Sequence, residues 1–392
     1  MNTDLIFDNT EIAFSLKSDS ELERAYFLFK MISIEPLVKI GTAATNFAIK
    51  AHLPIEGLIR STVFDHFCGG VNEEDCLPVI EKMYSKGVSS VLDYSVEGKA
   101  NEKEFDLAKD MIVKIIEFAK NNEAMPIAVF KPTGFGRLYL YEKLGKGEKL
   151  TPNEFEEWNR VVQRFDDVCK KAKEYDVAIL IDAEESWMQD SADELVTNMM
   201  AKYNTEKAIV FNTLQMYRHD RLDFLEKEHQ KAKSGNYFLG YKLVRGAYME
   251  KENDRAEENG YDTPICGSKF ATDQNFNKGL NYVMDHLECM SLFAGTHNED
   301  SSYLLMRLMN EKGLENNDSR IWFGQLYGMS DHISFNLAHK GYNVAKYIPF
   351  GPVKDVMPYL IRRAEENTSV AGQTGRELAL LTKEKKRRKK GK

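Results

Sequence analysis

From residue 88 onward the chain repeats one unit eight times: a short apolar run suited to a β-strand, then an amphipathic stretch suited to a helix. The runs are Val88 to Tyr94, Ile127 to Lys131, Val177 to Asp182, Ile209 to Asn212, Phe238 to Arg245, Met290 to Ala294, Arg320 to Gln325 and Val344 to Ile348. Near-continuous apolar strands separated by helices, with no series of hairpin turns, specify a parallel sheet covered by helices. Eight such units over roughly 280 residues predict a (β/α)8 barrel. A doubly wound open sheet is the rival, and the lack of G-x-G-x-x-G after the first strand weakens it.

The residues that end these runs are the informative ones. Asp93, Lys131, Asp182, Asn212 with Gln215, Lys242 with Arg245, Thr296-His297-Asn298, Gln325 and Tyr347 fall at or just past successive strand ends. A barrel gathers those positions on one face, where such enzymes place their chemistry. A strand-end Asp is often only a helix cap, and a lone His is more often a satisfied core residue than a catalyst. Eight strands that each deliver a polar side chain to one rim are much harder to explain as capping.

Ahead of the barrel, a capping pattern at Ser18 to Ser20 opens helical periodicity that runs to about residue 85. This divides the chain into a helical arm (1–85), a (β/α)8 domain (86–370) and a C-terminal extension (371–392). Near the end of the domain, helical spacing puts Tyr359, Arg362, Arg363 and Glu366 on one face and Met357, Leu360, Ile361 and Ala364 on the other. Two adjacent guanidiniums beside a Tyr suit a small carboxylate, because each offers a planar fork of donors. The bland alternative is a solvated face with an Arg362–Glu366 ion pair.

Composition removes several function classes. No apolar run approaches the roughly 18 residues of a membrane span, and the acidic N-terminus resembles neither a signal nor a transit peptide, so the expected address is cytoplasmic. Cysteines 68, 76, 169, 266 and 289 are odd in number and widely spaced, with no CxxC and no His at zinc-ligand spacing. Reduced thiols and no structural metal are expected. The net charge of −8 hides an asymmetry, since residues 383–392 carry eight basic residues against Glu384. The acidic body is no nucleic-acid binder; the tail reads first as a disordered solubilising end, next as an electrostatic attachment to anionic lipid, and last, for want of interleaved aromatics, as a nucleic-acid contact.

A rim with Lys131, Lys242, Arg245, Arg362 and Arg363 but few carboxylates (Asp93, Asp182, Glu184) fits an anionic cofactor together with a small anionic substrate. Two chemistries suit it. Lys131 could form a Schiff base in a barrel lyase, or the cations could hold a flavin dinucleotide. Spacing alone does not choose.

Seven ordered motifs carry a resemblance that does. They are Asp182-Ala-Glu-Glu185, Phe211-Asn-Thr-Leu-Gln-Met-Tyr217, Lys242-Leu-Val-Arg-Gly-Ala-Tyr248, Thr296-His-Asn-Glu-Asp300, Phe323-Gly-Gln-Leu-Tyr-Gly-Met329, Lys346-Tyr-Ile-Pro-Phe-Gly-Pro352 and Tyr359-Leu-Ile-Arg-Arg-Ala-Glu-Glu-Asn367. Over roughly residues 80 to 370 the chain resembles the proline dehydrogenase family, in its stand-alone form. The resemblance implies a distorted (β/α)8 barrel that binds FAD, oxidises L-proline to Δ1-pyrroline-5-carboxylate and passes electrons to a quinone. It implies that Arg362 and Arg363 clamp the proline carboxylate with help from Lys131, and that Asp182 orients the site. Leu326, Tyr347 and Tyr359, with Tyr248 close by, would surround the pyrrolidine ring. Gln215, Lys242, Arg245, Gly246, Thr296, His297, Asn298, Gln325 and Glu366 would contact FAD. Lys242 stands where some members have Arg. Tyr347 packs where a 4-hydroxyl would sit, which favours proline over hydroxyproline; a hydroxyproline dehydrogenase is the nearest alternative.

Overall fold

The computed structural model describes residues 6–34, 36–38, 40–43, 56–95, 101–369 and 373–391. Eight parallel strands form one sheet: β1 (Val88–Tyr94), β2 (Ile127–Phe130), β3 (Ala178–Ile181), β4 (Val210–Gln215), β5 (Leu239–Val244), β6 (Met290–Gly295), β7 (Ile321–Leu326) and β8 (Val344–Phe350). Their order is β1-β8-β7-β6-β5-β4-β3-β2, and helices follow the strands. The fold class is the expected (β/α)8 barrel preceded by helices. Each expected run contains its strand to within a few residues; β4 extends three residues further, so Gln215 lies inside it.

The chain divides into two compact units, residues 98–324 and residues 1–97 with 325–392. In the first, β2 to β6 pair in parallel register, with Thr213 opposite Lys242 and Lys242 opposite Phe293. Helix Pro152–Tyr175 begins with a capping box, in which the Thr151 and Glu154 side chains each accept from the other's backbone N–H, and Pro152 supplies a preset φ at the first helical position. Several polar groups buried among the apolar strands are matched. Arg221 meets Asp193 at 2.8 Å, and the same carboxylate accepts from Gln189 and Asn212. Asn204 donates to the carbonyls of Val210 and Phe238 and accepts from the amides of Ile209 and Val210, so one side chain ties together the starts of β4 and β5.

In the second unit β1 lies beside β8 in unbroken register from Val88–Val344 to Tyr94–Phe350. Ser18, within the expected capping stretch, caps helix Asp19–Ile32 in a box completed by Glu21. The C-terminal stretch departs from expectation. It is a helix, Gln373–Lys390, whose Leu380 and Leu381 pack with Phe14, Leu22, Ala25 and Phe29 of the N-terminal region. Several of its charges are used internally: Arg388 donates to Asp19 and to the carbonyls of Phe14 and Lys17, Lys385 pairs with Glu23, and Arg376 pairs with Asp8. Two adjacent leucines on one face, together with acidic partners near the N-terminus, overcome the repulsion that a basic run alone would suffer. All five cysteines are free thiols, with Cys68, Cys76 and Cys169 buried. Among the described residues no helix is long and apolar enough to cross a membrane.

The turn after β7 depends on one glycine. Gly328 has φ of +80°, its carbonyl lies 2.9 Å from His66 Nε2, and a Cβ here would stand 2.3 Å from the His66 carbonyl oxygen. Gly328→Ala should therefore lose about 1–3 kcal/mol of stability. Urea unfolding of the two proteins measures this, and equal midpoints would refute the packing argument.

Candidate active site

Within residues 98–324, the ends of β2 to β6 carry a connected polar set. Asp182 follows β3, its N–H bonded to the Phe130 carbonyl at 2.9 Å, and its carboxylate accepts from Lys242 Nζ at 2.5 Å. Lys242 lies on β5 with 6% exposure, and the carboxylate offsets the penalty of burying its ammonium group. Asp182 is thus the ionic partner of Lys242. Lys131, half-buried just past β2, acts electrostatically on Glu184.

Glu184 is more central than its sequence suggests. Its carboxylate accepts from the backbone N–H and the hydroxyl of Thr133, at 2.8 and 2.6 Å. Burial raises its carboxyl to about 7, against the opposing pull of the Thr133 hydrogen bonds and the Lys131 charge. Gln215 donates to the Glu184 carbonyl at 2.7 Å and accepts from the Ala247 N–H at 3.3 Å, which joins the ends of β3, β4 and β5.

Past β5, Gly246 has φ of +140°, and a Cβ there would fall 2.5 Å from the Tyr217 ring. Only glycine lets the backbone pass this ring. Arg245 reaches the other way, to Asp273 at 2.7 Å, Thr296 Oγ1 at 2.7 Å and Ser301 Oγ at 3.0 Å, with its guanidinium over the Phe276 ring. Thr296 Oγ1 also accepts from the Asn298 N–H, and Asn298 caps helix Glu299–Glu311 through the Ser301 N–H at 2.8 Å. His297 is half-buried between them, and Tyr248 is half-buried at the start of helix Met249–Asn259. Amide, guanidinium, ammonium, hydroxyl and imidazole groups beside a backbone passage that tolerates no Cβ form a donor set that fits an anionic cofactor. Asp273, Ser301 and Thr133 had no signal in the sequence, because their partners lie 28, 56 and 51 residues away.

Within the other unit, the remaining candidates lie on β7, β8 and helix Met357–Ser369. Gln325 is buried and accepts from the Ser334 hydroxyl at 2.9 Å. Leu326 packs against an apolar cluster that contains Phe67, Met329, Val356, Met357, Tyr359 and Leu360. Tyr347 is buried on β8, and its carbonyl accepts from the Tyr327 N–H at 2.8 Å. The turn between these strands is held by Lys346, whose ammonium donates to the Met329 carbonyl at 2.6 Å and meets Asp331 at 2.8 Å. Asp331 also meets Lys17 at 3.0 Å. Burial alone would raise the Asp331 carboxyl, but the two ammonium charges outweigh it and hold it well below the carboxylate range.

Helix Met357–Ser369 differs in one respect from the expected two-faced pattern. Tyr359 is buried in the same cluster as Met357 and Leu360, so it belongs to the apolar side. Arg363, one turn on, is buried as well, with its guanidinium 5.1 Å from the centre of the Tyr359 ring. A cation over an aromatic face in a shielded setting is more stabilising than an exposed pair. Arg362 is half-buried. The Glu366 side chain lies outside the described residues.

Polar residues at the C-terminal strand ends of a (β/α)8 scaffold define the class as a barrel enzyme. Comparison with known proteins gives the family. The sequence profile described as proline dehydrogenase matches residues 76–376. The carbapenem antibiotics biosynthesis protein CarD of Pectobacterium carotovorum subsp. carotovorum is 34% identical over 333 residues, covering 85% of this chain and 86% of its own. Mitochondrial proline dehydrogenase 1 of Dictyostelium discoideum is 30% identical over 99% of this chain and 76% of its own. Among solved structures, proline utilization A from Bdellovibrio bacteriovorus superposes with a TM-score of 0.72 at 19% identity, over 94% of this chain; this chain spans 40% of that longer protein. The chain belongs to the proline dehydrogenase family, whose reaction class is the oxidoreduction of proline.

The Glu184 carboxyl gives a pH signature. Because its native value lies above the usual 4.5, the folded chain keeps a proton that the unfolded chain has lost. The resulting stability is complete below about pH 4.5 and fades as pH rises through about 7. Relative to Glu184→Gln, the native chain should lose up to about 3 kcal/mol between pH 5 and pH 8. Denaturant titrations at the two pH values measure it; a pH-independent difference would remove the assignment.

Proposed function

We propose that this protein oxidises L-proline to Δ1-pyrroline-5-carboxylate with FAD as cofactor and a quinone as electron acceptor. The observation that carries this reading, beyond family membership, is the buried Arg363 guanidinium stacked on Tyr359 next to Arg362. A guanidinium withdrawn from water beside an aromatic ring is a strong and selective partner for a small carboxylate.

In this reading Arg362 and Arg363 bind the proline carboxylate and fix the ring's orientation, which converts an encounter into a near-attack geometry. Lys131 adds a third positive charge. Leu326, Tyr347 and Tyr359 enclose the pyrrolidine methylenes and exclude water, and Tyr347 takes the space of a 4-hydroxyl group. Proline must lose its ammonium proton before C5 can give up a hydride, because a protonated nitrogen has no electron pair for the forming C=N bond; that proton leaves to water. FAD would be held by Gln215, Arg245, Thr296 and His297, along the Gly246 backbone, and it supplies the hydride acceptor. Asp182 holds the Lys242 ammonium in one place, and that cation would help stabilise the reduced cofactor. Family membership sets aside the lyase reading for Lys131.

The quinone is a membrane-phase acceptor, so part of the surface has to approach a bilayer. Lys386, Lys389 and Lys390 are exposed on the C-terminal helix and would serve this, at about 1 kcal/mol each near an anionic surface. Reversing these three charges to Glu should abolish sedimentation with anionic vesicles and leave dye-coupled turnover intact; unchanged sedimentation would remove the tail from the proposal.

An anaerobic visible spectrum tests the central claim. The oxidised flavin bands should bleach on addition of L-proline. Arg362→Met should keep the resting spectrum while raising KM for proline by about 100-fold or more, through loss of a desolvated ion pair. A protein that takes up no flavin, or a variant with native proline affinity, would overturn the cofactor or the carboxylate assignment respectively. Bleaching by hydroxyproline alone would overturn the role given to Tyr347.

A further inference from the structure

At the other end of β5 and β6, within residues 98–324, a group of side chains unconnected with the strand-end set has the composition of a metal site. His229, 1% exposed on helix Arg221–Gly235, places Nε2 3.3 Å from the Sγ of Cys289. The Glu288 carboxylate oxygen lies 3.9 Å from the same sulfur, and the three donor atoms all fall within 4.8 Å of one another. His286 adjoins them, with its ring centre 4.5 Å from that of His229.

We propose that His229, Glu288 and Cys289 form a binding site for a divalent transition metal of the zinc type, with His286 as the nearest candidate for a fourth ligand. Imidazole, thiolate and carboxylate together select a borderline-soft ion over calcium or magnesium, which take oxygen ligands. The spacing supports this. Zinc bonds of about 2.0–2.3 Å at tetrahedral angles separate neighbouring ligand atoms by about 3.3–3.7 Å. The nitrogen–sulfur and sulfur–oxygen separations are already close to that range, so only small side-chain movements are needed.

The surroundings are those of oriented ligands. His229 Nδ1 is 2.9 Å from the Tyr282 hydroxyl, which directs Nε2 toward the sulfur. His286 Nδ1 is 2.7 Å from the Tyr282 carbonyl, which leaves Nε2 as its coordinating nitrogen. A metal-binding imidazole commonly has its other nitrogen fixed by an oxygen in this way. The backbone beneath is also held, because the Cys289 and Met290 amides both donate to the His286 carbonyl and the Cys289 carbonyl accepts from Leu239. Ligands from one helix and from the loop before β6 make the ion a clamp at the starts of β5 and β6. Binding displaces the Cys289 thiol proton to solvent, with no change of oxidation state. Without metal, the same atoms make an ordinary thiol–imidazole hydrogen bond.

Cys266 provides an internal control, since it is the only other half-exposed cysteine. The chelator-treated full chain is titrated with zinc chloride by calorimetry, and thiol alkylation by iodoacetamide is followed by peptide mass with and without zinc. One zinc ion should bind per chain and slow Cys289 alkylation at least about tenfold while leaving Cys266 unchanged, and Tm should rise by a few degrees. Cys289→Ser should weaken binding by about 10–100-fold, and the surface variant Glu288→Gln, which leaves the buried His229 in place, should weaken it less. Equal zinc affinity in native chain and Cys289→Ser, equal protection of both cysteines, or no zinc binding would each overturn the proposal.

Discussion

Two ammonium groups, the buried Lys346 and the half-buried Lys17, share one carboxylate at Asp331, and much of the smaller unit is arranged around that fact. Lys17 comes from the N-terminal region, Lys346 from β8, and Asp331 starts the helix Asp331–His339. Ions this deeply buried are tolerated only when paired and hydrogen-bonded. Lys346 meets the condition by drawing in the Met329 and Leu326 carbonyls as well, and Glu377 from the C-terminal helix accepts from the Ser330 N–H at 2.6 Å. The turn that follows β7 therefore has its carbonyls, its amide and its carboxylate all committed. Leu326, at the start of that turn, inherits a fixed place against the apolar cluster around Phe67 and Val356.

A similar economy governs the other unit. Asp182 and Lys242 neutralise each other, Arg245 is shared among Asp273, Thr296 and Ser301, and Gln215 joins three strand ends through Glu184 and Ala247. Cations already held by local partners keep their positions before any ligand arrives, and electrostatic stabilisation of a reaction depends on such preorganisation.

The parallel strands were legible because each is a mostly apolar run followed by a helix, a pattern that few other arrangements produce. Ser18 was legible as a cap because capping is local in sequence; its partner Glu21 completes the box. Strand-end residues such as Lys131 and Asp182 could be picked out for the same reason, since their position follows from where an apolar run stops. Their partners could not. Asp273 and Ser301 look like any helix-surface residues until Arg245 arrives from another strand, and Glu184 gains its raised carboxyl only from burial beside Thr133. Helical periodicity put Tyr359 on the cationic face, whereas the cluster around Phe67 and Val356 accepts its ring. The basic tail misled in the same way: charge density suggested solvation, but Leu380, Leu381 and a set of acidic N-terminal partners decide its state. His229 and Cys289, 60 residues apart, fall outside any metal-ligand spacing that a sequence scan would recognise.

The packing of the C-terminal helix against helix Asp19–Ile32 has a consequence for how the chain is made. Synthesis is vectorial, and domains generally fold as units as they emerge. Residues 98–324 can complete their own contacts while the chain is still growing. The N-terminal residues cannot: Phe14, Leu22 and Phe29 wait for Leu380 and Leu381, which are synthesised only after residues 98–324. Until they emerge, this apolar surface lacks its partners on the C-terminal helix. The unit that carries both arginines thus assembles after the other, and a chain lacking helix Gln373–Lys390 would present the same surface to chaperones and proteases for as long as it survived.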